Sequence, residues 1–206
     1  MSALTPGQPS LPSAIARVFV TGFMGAGKTT VGRLLAERLG WDFADSDQRI
    51  EEQTGQTVAS LFETRGEAAF RELEAEAVRA SADKERLVMA LGGGALERYE
   101  TRGLLASLSD TVLIFLDAPL DVLVTRCQGQ ANAPVRPVLA DRAGLEHRWT
   151  TRLPGYRQAH LTVSTANSSP DEVAEMIVRE IAGRCRETGR SGPASAWGGR
   201  RTGVPA

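Results

Sequence analysis

Lysine is nearly missing from this sequence: of 24 basic residues only Lys28 and Lys84 are lysines, and the rest are arginine. An arginine taken at random therefore says little about function, whereas a lysine kept inside a glycine-rich loop says more. Cysteine is as scarce. Cys127 and Cys185 are the only two, with no spacing that suits a metal or a dithiol, which fits a reducing compartment. No run approaches the roughly 20 apolar residues of a membrane span. The opening MSALTPGQPSLPSAIA has neither the basic start nor the apolar stretch of a secretory signal, so a cytoplasmic location is expected. Charge of one sign is absent too: a net −1 gives no field for nucleic acid or a membrane surface.

What is present fits one domain. A length of 206 residues with 42% apolar content is enough for a sizeable core. Residues 1–14, rich in Pro, Ser and Gly, read as a disordered lead-in. From Gly183 to the end Gly, Arg, Ser and Pro dominate, with Trp197 the only large apolar residue, and 183–206 read as a disordered tail. The working domain is 15–182, without internal repeats.

Inside it RVFV (17–20), WDFAD (41–45), LVMAL (87–91), VLIFL (112–116) and LTVS (161–164) read as strands. Continuous apolar character suits parallel strands buried on both faces. Gly40 is placed to end the first helix. Thr64 and Glu67 have capping-box spacing, and Ser169-Pro170-Asp171-Glu172 repeats it with Pro at the first helical position. The alternation predicts a three-layer α/β/α sandwich around a five-stranded parallel sheet, with ligands beyond the carboxyl ends of the strands.

The motifs fall there. Gly22, Gly27, Lys28 and Thr29 satisfy G-x-x-x-x-G-K-[ST] between a strand and an amphipathic helix, the context a phosphate loop requires. The backbone N–H groups and helix N-terminus of Gly25, Ala26, Gly27, Lys28, Thr29 and Thr30 would cradle phosphate. Lys28 would reach the β- and γ-phosphates and the Thr29 hydroxyl would ligate Mg²⁺. No Asn-Lys-x-Asp segment reads guanine, which argues against a GTP switch. Asp45 and Asp47 close the second strand two residues apart, a spacing that projects both carboxylates to one side of an extended chain. One would hold Mg²⁺ and the other would orient or deprotonate an acceptor hydroxyl. An N-cap with a solvated neighbour is the plainer reading of that pair.

GFMGAGKTTVGRLLAERLG, then DSDQRIEEQTG, LFETRGEAAFRELE and LGGGAL together resemble shikimate kinase through most of residues 17–165. The resemblance implies a P-loop kinase of nucleoside monophosphate kinase type with a mobile lid. It implies that Asp45 joins Thr29 at the metal and that Asp47 serves the acceptor hydroxyl. By the same resemblance Arg71 and Arg152 bind the substrate carboxylate, Gly93 bonds a substrate hydroxyl, and Phe62 and Phe70 wall the ring. Glu67 and Glu74, four residues before Arg71 and three after, can hold its guanidinium in place on one helical face.

TRCQGQANAPVRPVLAD has no hydrophobic period and reads as a loop. It resembles the lid of nucleoside monophosphate kinase-like folds, of about 127–140, and the resemblance implies that Arg136 closes on the transferring phosphoryl group. By the same resemblance Arg126 matches a position that stacks on adenine. Two departures from the family pattern stand out: Gly155 replaces a leucine, and Ala159 comes one residue early. Tyr156 reads as packing, and His147 and His160 match no catalytic position. The implied reaction is ATP-dependent phosphorylation of the shikimate 3-hydroxyl, with Mg²⁺, by a monomer that binds neither nucleic acid nor membrane. A gluconate-type kinase and a non-catalytic nucleotide-binding module are the alternatives.

Overall fold

The computed structural model describes Leu11, residues 14–129 and residues 141–188. Five strands form one parallel sheet in the order β2-β3-β1-β4-β5. They are β1 (Arg17–Thr21), β2 (Asp42–Asp45), β3 (Leu87–Ala90), β4 (Thr111–Asp117) and β5 (Leu161–Ser164). The three central strands are buried along almost their whole length, while the edge strands β2 and β5 carry exposed positions. Only a strand covered on both faces and paired on both edges needs an unbroken apolar run.

Seven α-helices among the described residues connect and cover the sheet: α1 (Lys28–Leu39), α2 (Ser46–Thr54), α3 (Val58–Arg79), α4 (Tyr99–Ser107), α5 (Leu120–Gln128), α6 (Arg142–Tyr156) and α7 (Pro170–Thr188). A 3₁₀ turn, Ala95–Glu97, follows the triple glycine. Gly40 ends α1 in the left-handed region, its N–H donating to Glu37 O at 3.2 Å. At α7 the capping box forms in both directions: Ser169 N donates to Glu172 Oε2 at 2.7 Å and Glu172 N to Ser169 Oγ at 3.3 Å.

Three expectations need correcting. Thr64 caps nothing; its hydroxyl donates back to Ser60 O at 2.7 Å, and the break in α3 is made by Gly66 at φ 80° and ψ 168°. The upstream cap is Thr57, whose hydroxyl accepts from Ser60 N. The segment from Thr125 is helical as far as Gln128, because Leu123 and Cys127 are buried one turn apart on the same face of α5. And α7 runs to Thr188, past the proposed start of the tail, with Arg184 reaching Glu180 and the His160 carbonyl. At the other end Leu11, within the lead-in, is buried against the core.

Candidate active site

β1 delivers the chain into the phosphate loop and α1 carries it out. At Gly25, φ 76°, a β-carbon would overlap the Leu123 carbonyl oxygen, so α5 packs directly beneath the loop and only glycine fits. Ala26 turns its methyl into the core and leaves only backbone toward the loop. Gly27 precedes α1 without any side chain capping it, so the first-turn N–H groups remain for a ligand, as an anion site at a helix start requires. Lys28 Nζ donates to Phe23 O at 3.1 Å across the loop. Thr29 and Thr30 lie exposed in the first turn.

Thr29 Oγ1 donates to Asp45 Oδ2 at 2.7 Å. The other Asp45 oxygen caps α2, accepting from Asp47 N at 3.0 Å and Gln48 N at 3.4 Å. Capping and a place beside the Thr29 hydroxyl thus coexist in one side chain. Asp47 does not continue the strand; it sits in the first turn of α2. The pair converges because a strand-to-helix corner separates its members, not because an extended chain alternates. No cluster of three or more His, Cys, Asp or Glu side chains suited to a metal occurs among the described residues. A hydroxyl and a carboxylate oxygen in contact fit Mg²⁺, a hard cation that takes one or two protein oxygens and completes its shell with phosphate and water.

Asp47 Oδ1 is buried without a hydrogen-bond partner. Burial raises its pKa and the Asp45 charge adds to this, while Lys28 and Arg71 oppose it. Across from it lies α3. Arg71 donates from Nη1 to Glu74 Oε2 at 2.8 Å and from Nη2 to Glu67 Oε1 at 2.9 Å, and its guanidinium stands 5.5 Å from the Phe70 ring centroid. Burial opposes the Arg71 charge, but its acidic neighbours hold its pKa above the ordinary value. Glu74 is only 1% exposed and leaves Oε1 without a partner. Burial pushes its pKa up to about 7 against the pull of Arg71, with Asp47 adding to the rise.

The triple glycine is the floor between these groups. A β-carbon at Gly92 would overlap Glu74 Oε1 and stand 2.7 Å from Asp47 Oδ1; one at Gly94 would overlap the Arg71 guanidinium. Gly93 lies between Arg152 Nη1 and the Gly22 carbonyl. Glycine is needed here first for the chain's own charges to close in. Gly92 N donates to the buried Ser46 Oγ at 2.7 Å, and the Tyr156 hydroxyl donates to Gly93 O while its ring stacks on Phe115. Tyr156 is therefore an anchor of the glycine segment as well as a packing residue. Arg152, on α6, pairs through Nε with Glu97 of the 3₁₀ turn.

Sequence reasoning missed Ser46, Glu97, the Tyr156 hydroxyl and the depth of Glu74. Only Glu74, on the Arg71 face of its helix, carried a sequence signal. Arg126 reaches the loop after β5, donating to Thr165 Oγ1 at 2.9 Å and to Thr165 O at 2.5 Å, so its guanidinium is held by that loop. Arg136 and the lid from 130 to 140 lie outside the described residues. His160 Nδ1 accepts from Leu113 N at 2.9 Å and ties β5 to β4, a packing role. No helix among the described residues is long and apolar enough to cross a membrane.

A parallel sheet with a phosphate loop at β1, faced by a buried carboxylate, the buried Arg152 and the largely covered Arg71, defines a P-loop phosphotransferase acting on a small anionic acceptor. A family model described as shikimate kinase matches residues 24–182. The chain is 40% identical over 174 residues to a shikimate kinase of Chromobacterium violaceum, covering 84% of this chain and 94% of the relative. A solved shikimate kinase from Acinetobacter baumannii, in complex with shikimate, superposes with a TM-score of 0.76 at 35% identity, over 82% of this chain and 94% of that one. A gluconokinase from Sinorhizobium meliloti, at 18% identity and a TM-score of 0.54, shares the fold alone. This chain belongs to the shikimate kinase family.

Proposed function

We propose a division of labour among these residues for the reaction of the family, in which the chain phosphorylates shikimate with ATP, and we assign transfer to the 3-hydroxyl. The observation that carries it is the buried, unpaired Asp47 Oδ1, within reach of the phosphate loop and of the Arg71 cluster. A carboxylate whose pKa is raised, with one oxygen unengaged, is suited to accept a hydrogen bond from the acceptor hydroxyl and take its proton during transfer. Arg71 and Arg152 hold the acceptor's carboxylate through their planar forks, and the Gly93 segment, pinned by Tyr156, places the ring.

Lys28 and the first-turn N–H groups of α1 hold the β- and γ-phosphates. Thr29 and Asp45 would hold Mg²⁺, which when bound offsets charge on those phosphates. Arg136 is assigned to the transferring group from the sequence. Arg126 serves the adenine side through its hold on the Thr165 loop. Positioning and charge neutralisation supply most of what phosphoryl transfer demands. A coupled assay with ATP, Mg²⁺ and shikimate tests the whole reading. ADP release that rises with shikimate, and not with gluconate, is expected; a folded protein that releases no ADP on adding shikimate refutes it.

A further inference from the structure

Glu97 already holds one of the arginines assigned to the acceptor's carboxylate. The 3₁₀ turn fixes its backbone: Glu97 N donates to Gly94 O at 2.9 Å, and Arg102 Nη1 donates to Leu96 O at 2.6 Å and to Glu97 O at 2.9 Å. From that anchored backbone the side chain reaches Arg152, whose own side chain is only 7% exposed, whereas Glu97 remains 37% exposed. Both line the same cavity, of about 370 Å³, with Gly93 and Tyr156. The Glu97 charge also acts on Arg71. A carboxylate of the chain therefore already pairs with one of the two arginines assigned to the acceptor's carboxylate and acts by its charge on the other.

We propose that Glu97 is an internal competitor for Arg152: its carboxylate pairs with the guanidinium before the acceptor arrives and gives way when the acceptor's carboxylate binds, so that residue 97 sets acceptor affinity. The exchange is like for like, one carboxylate for another. The asymmetry of exposure decides which partner moves: Arg152 is locked in the wall, and Glu97 can turn to water at little cost in solvation. The competition gives a buried guanidinium a charged partner before the acceptor arrives and lowers net affinity for the acceptor, as any pre-existing partner must. This inference rests on the reading of Arg152 as a ligand of the acceptor's carboxylate.

Calorimetric titration of shikimate into the full chain without nucleotide separates the two. Glu97→Gln, which keeps size and removes charge, should tighten binding by about threefold to tenfold, the span expected for losing one partly exposed competing ion pair. A gain in affinity is not something a damaged fold produces. Arg152→Ala should weaken binding by about tenfold or more, and adding Glu97→Gln to it should bring at most a small part of the gain seen in the wild type. Glu97→Asp, one methylene shorter, should fall between the wild type and Glu97→Gln. Unchanged or weaker binding in Glu97→Gln, with Arg152→Ala still impaired, overturns the competition alone. An equal gain in the Arg152→Ala background overturns it too, by showing that the effect bypasses Arg152. Wild-type affinity in Arg152→Ala instead overturns the assignment of Arg152.

Discussion

Two ends of the same sheet each hold buried arginine, and they differ in what is left unsatisfied. At the amino end Arg17 donates from Nε to Thr111 Oγ1 at 3.2 Å, from Nη1 to Lys84 O at 2.9 Å and from Nη2 to Asp110. Every nitrogen has a partner. At the carboxyl end Arg71 leaves Nε without one, and Glu74 Oε1, Asp47 Oδ1 and Thr21 Oγ1 are likewise buried and unengaged. Burying a polar group without a partner costs about 1–3 kcal/mol, so a cluster of them is retained only where something else satisfies them. Arg17 is satisfied as folded, whereas the Arg71 cluster keeps buried groups that the proposed substrates would engage.

That contrast breaks first at Asp47. Asp47→Asn keeps the shape and removes the proton acceptor, so turnover should fall by roughly 10²–10⁴-fold while nucleotide binding by calorimetry stays close to wild type. An unchanged turnover would return Asp47 to a structural role. Next in size is the comparison of the two arginines themselves. Arg71→Ala should weaken shikimate binding by about ten- to a hundredfold, the loss of charge-assisted bonds to a carboxylate, without comparable loss of ATP binding. Arg17→Ala should do the reverse: acceptor and nucleotide affinities hold, and stability drops by about 2–3 kcal/mol. Asp110 is partly exposed and can rehydrate, which keeps the cost below that of a fully buried pair. In thermal unfolding that is roughly 4–12 °C. Equal losses of binding in both variants would erase the distinction between the ends.

How far the sequence reveals each end follows from the same physics. Phosphate loops and strand runs were legible because backbone geometry dictates them: Gly25 must be glycine under Leu123, and β1, β3 and β4 must be apolar on both faces. The alternation read for Asp45 and Asp47 does not hold, since a strand-to-helix corner aims them. The Thr64 cap failed because Gly66 can break a helix without any cap to mark the break. Glu97 and Ser46 were invisible, because their partners, Arg152 and the Gly92 N–H, lie far away in sequence and no local pattern links them.

Glycine at position 92 sharpens the contrast further. Gly92→Ala would drive a methyl into Glu74 Oε1 and Asp47 Oδ1, so Glu74 must strain its bond to Arg71 and the Asp47 carboxylate, which no hydrogen bond holds at Oδ1, must swing away. Overpacking of this kind costs about 1–3 kcal/mol, and the displaced Asp47 should lower turnover by roughly tenfold. Full activity in the alanine variant would mean that the floor can shift without moving the carboxylate.

The smallest effect concerns Glu74 and has a defined sign. Its folded pKa lies at about 7, above the 4.5 of an ordinary glutamate, so over the interval between them the folded protein binds a proton that the unfolded chain has released. The stability this contributes is complete below the lower value and is lost as pH rises through the upper one. Between pH 6 and pH 8 the loss comes to about 1 kcal/mol, or roughly 2–4 °C in unfolding temperature for a chain of this size. Glu74→Gln removes the titration, so the unfolding temperature of the wild type should fall relative to that of the variant by this amount over the same interval. A difference that stays constant with pH would mean that Glu74 is ionised throughout, held by Arg71 as firmly as Asp110 holds Arg17. The carboxyl end would then be as finished at that pair as the amino end is.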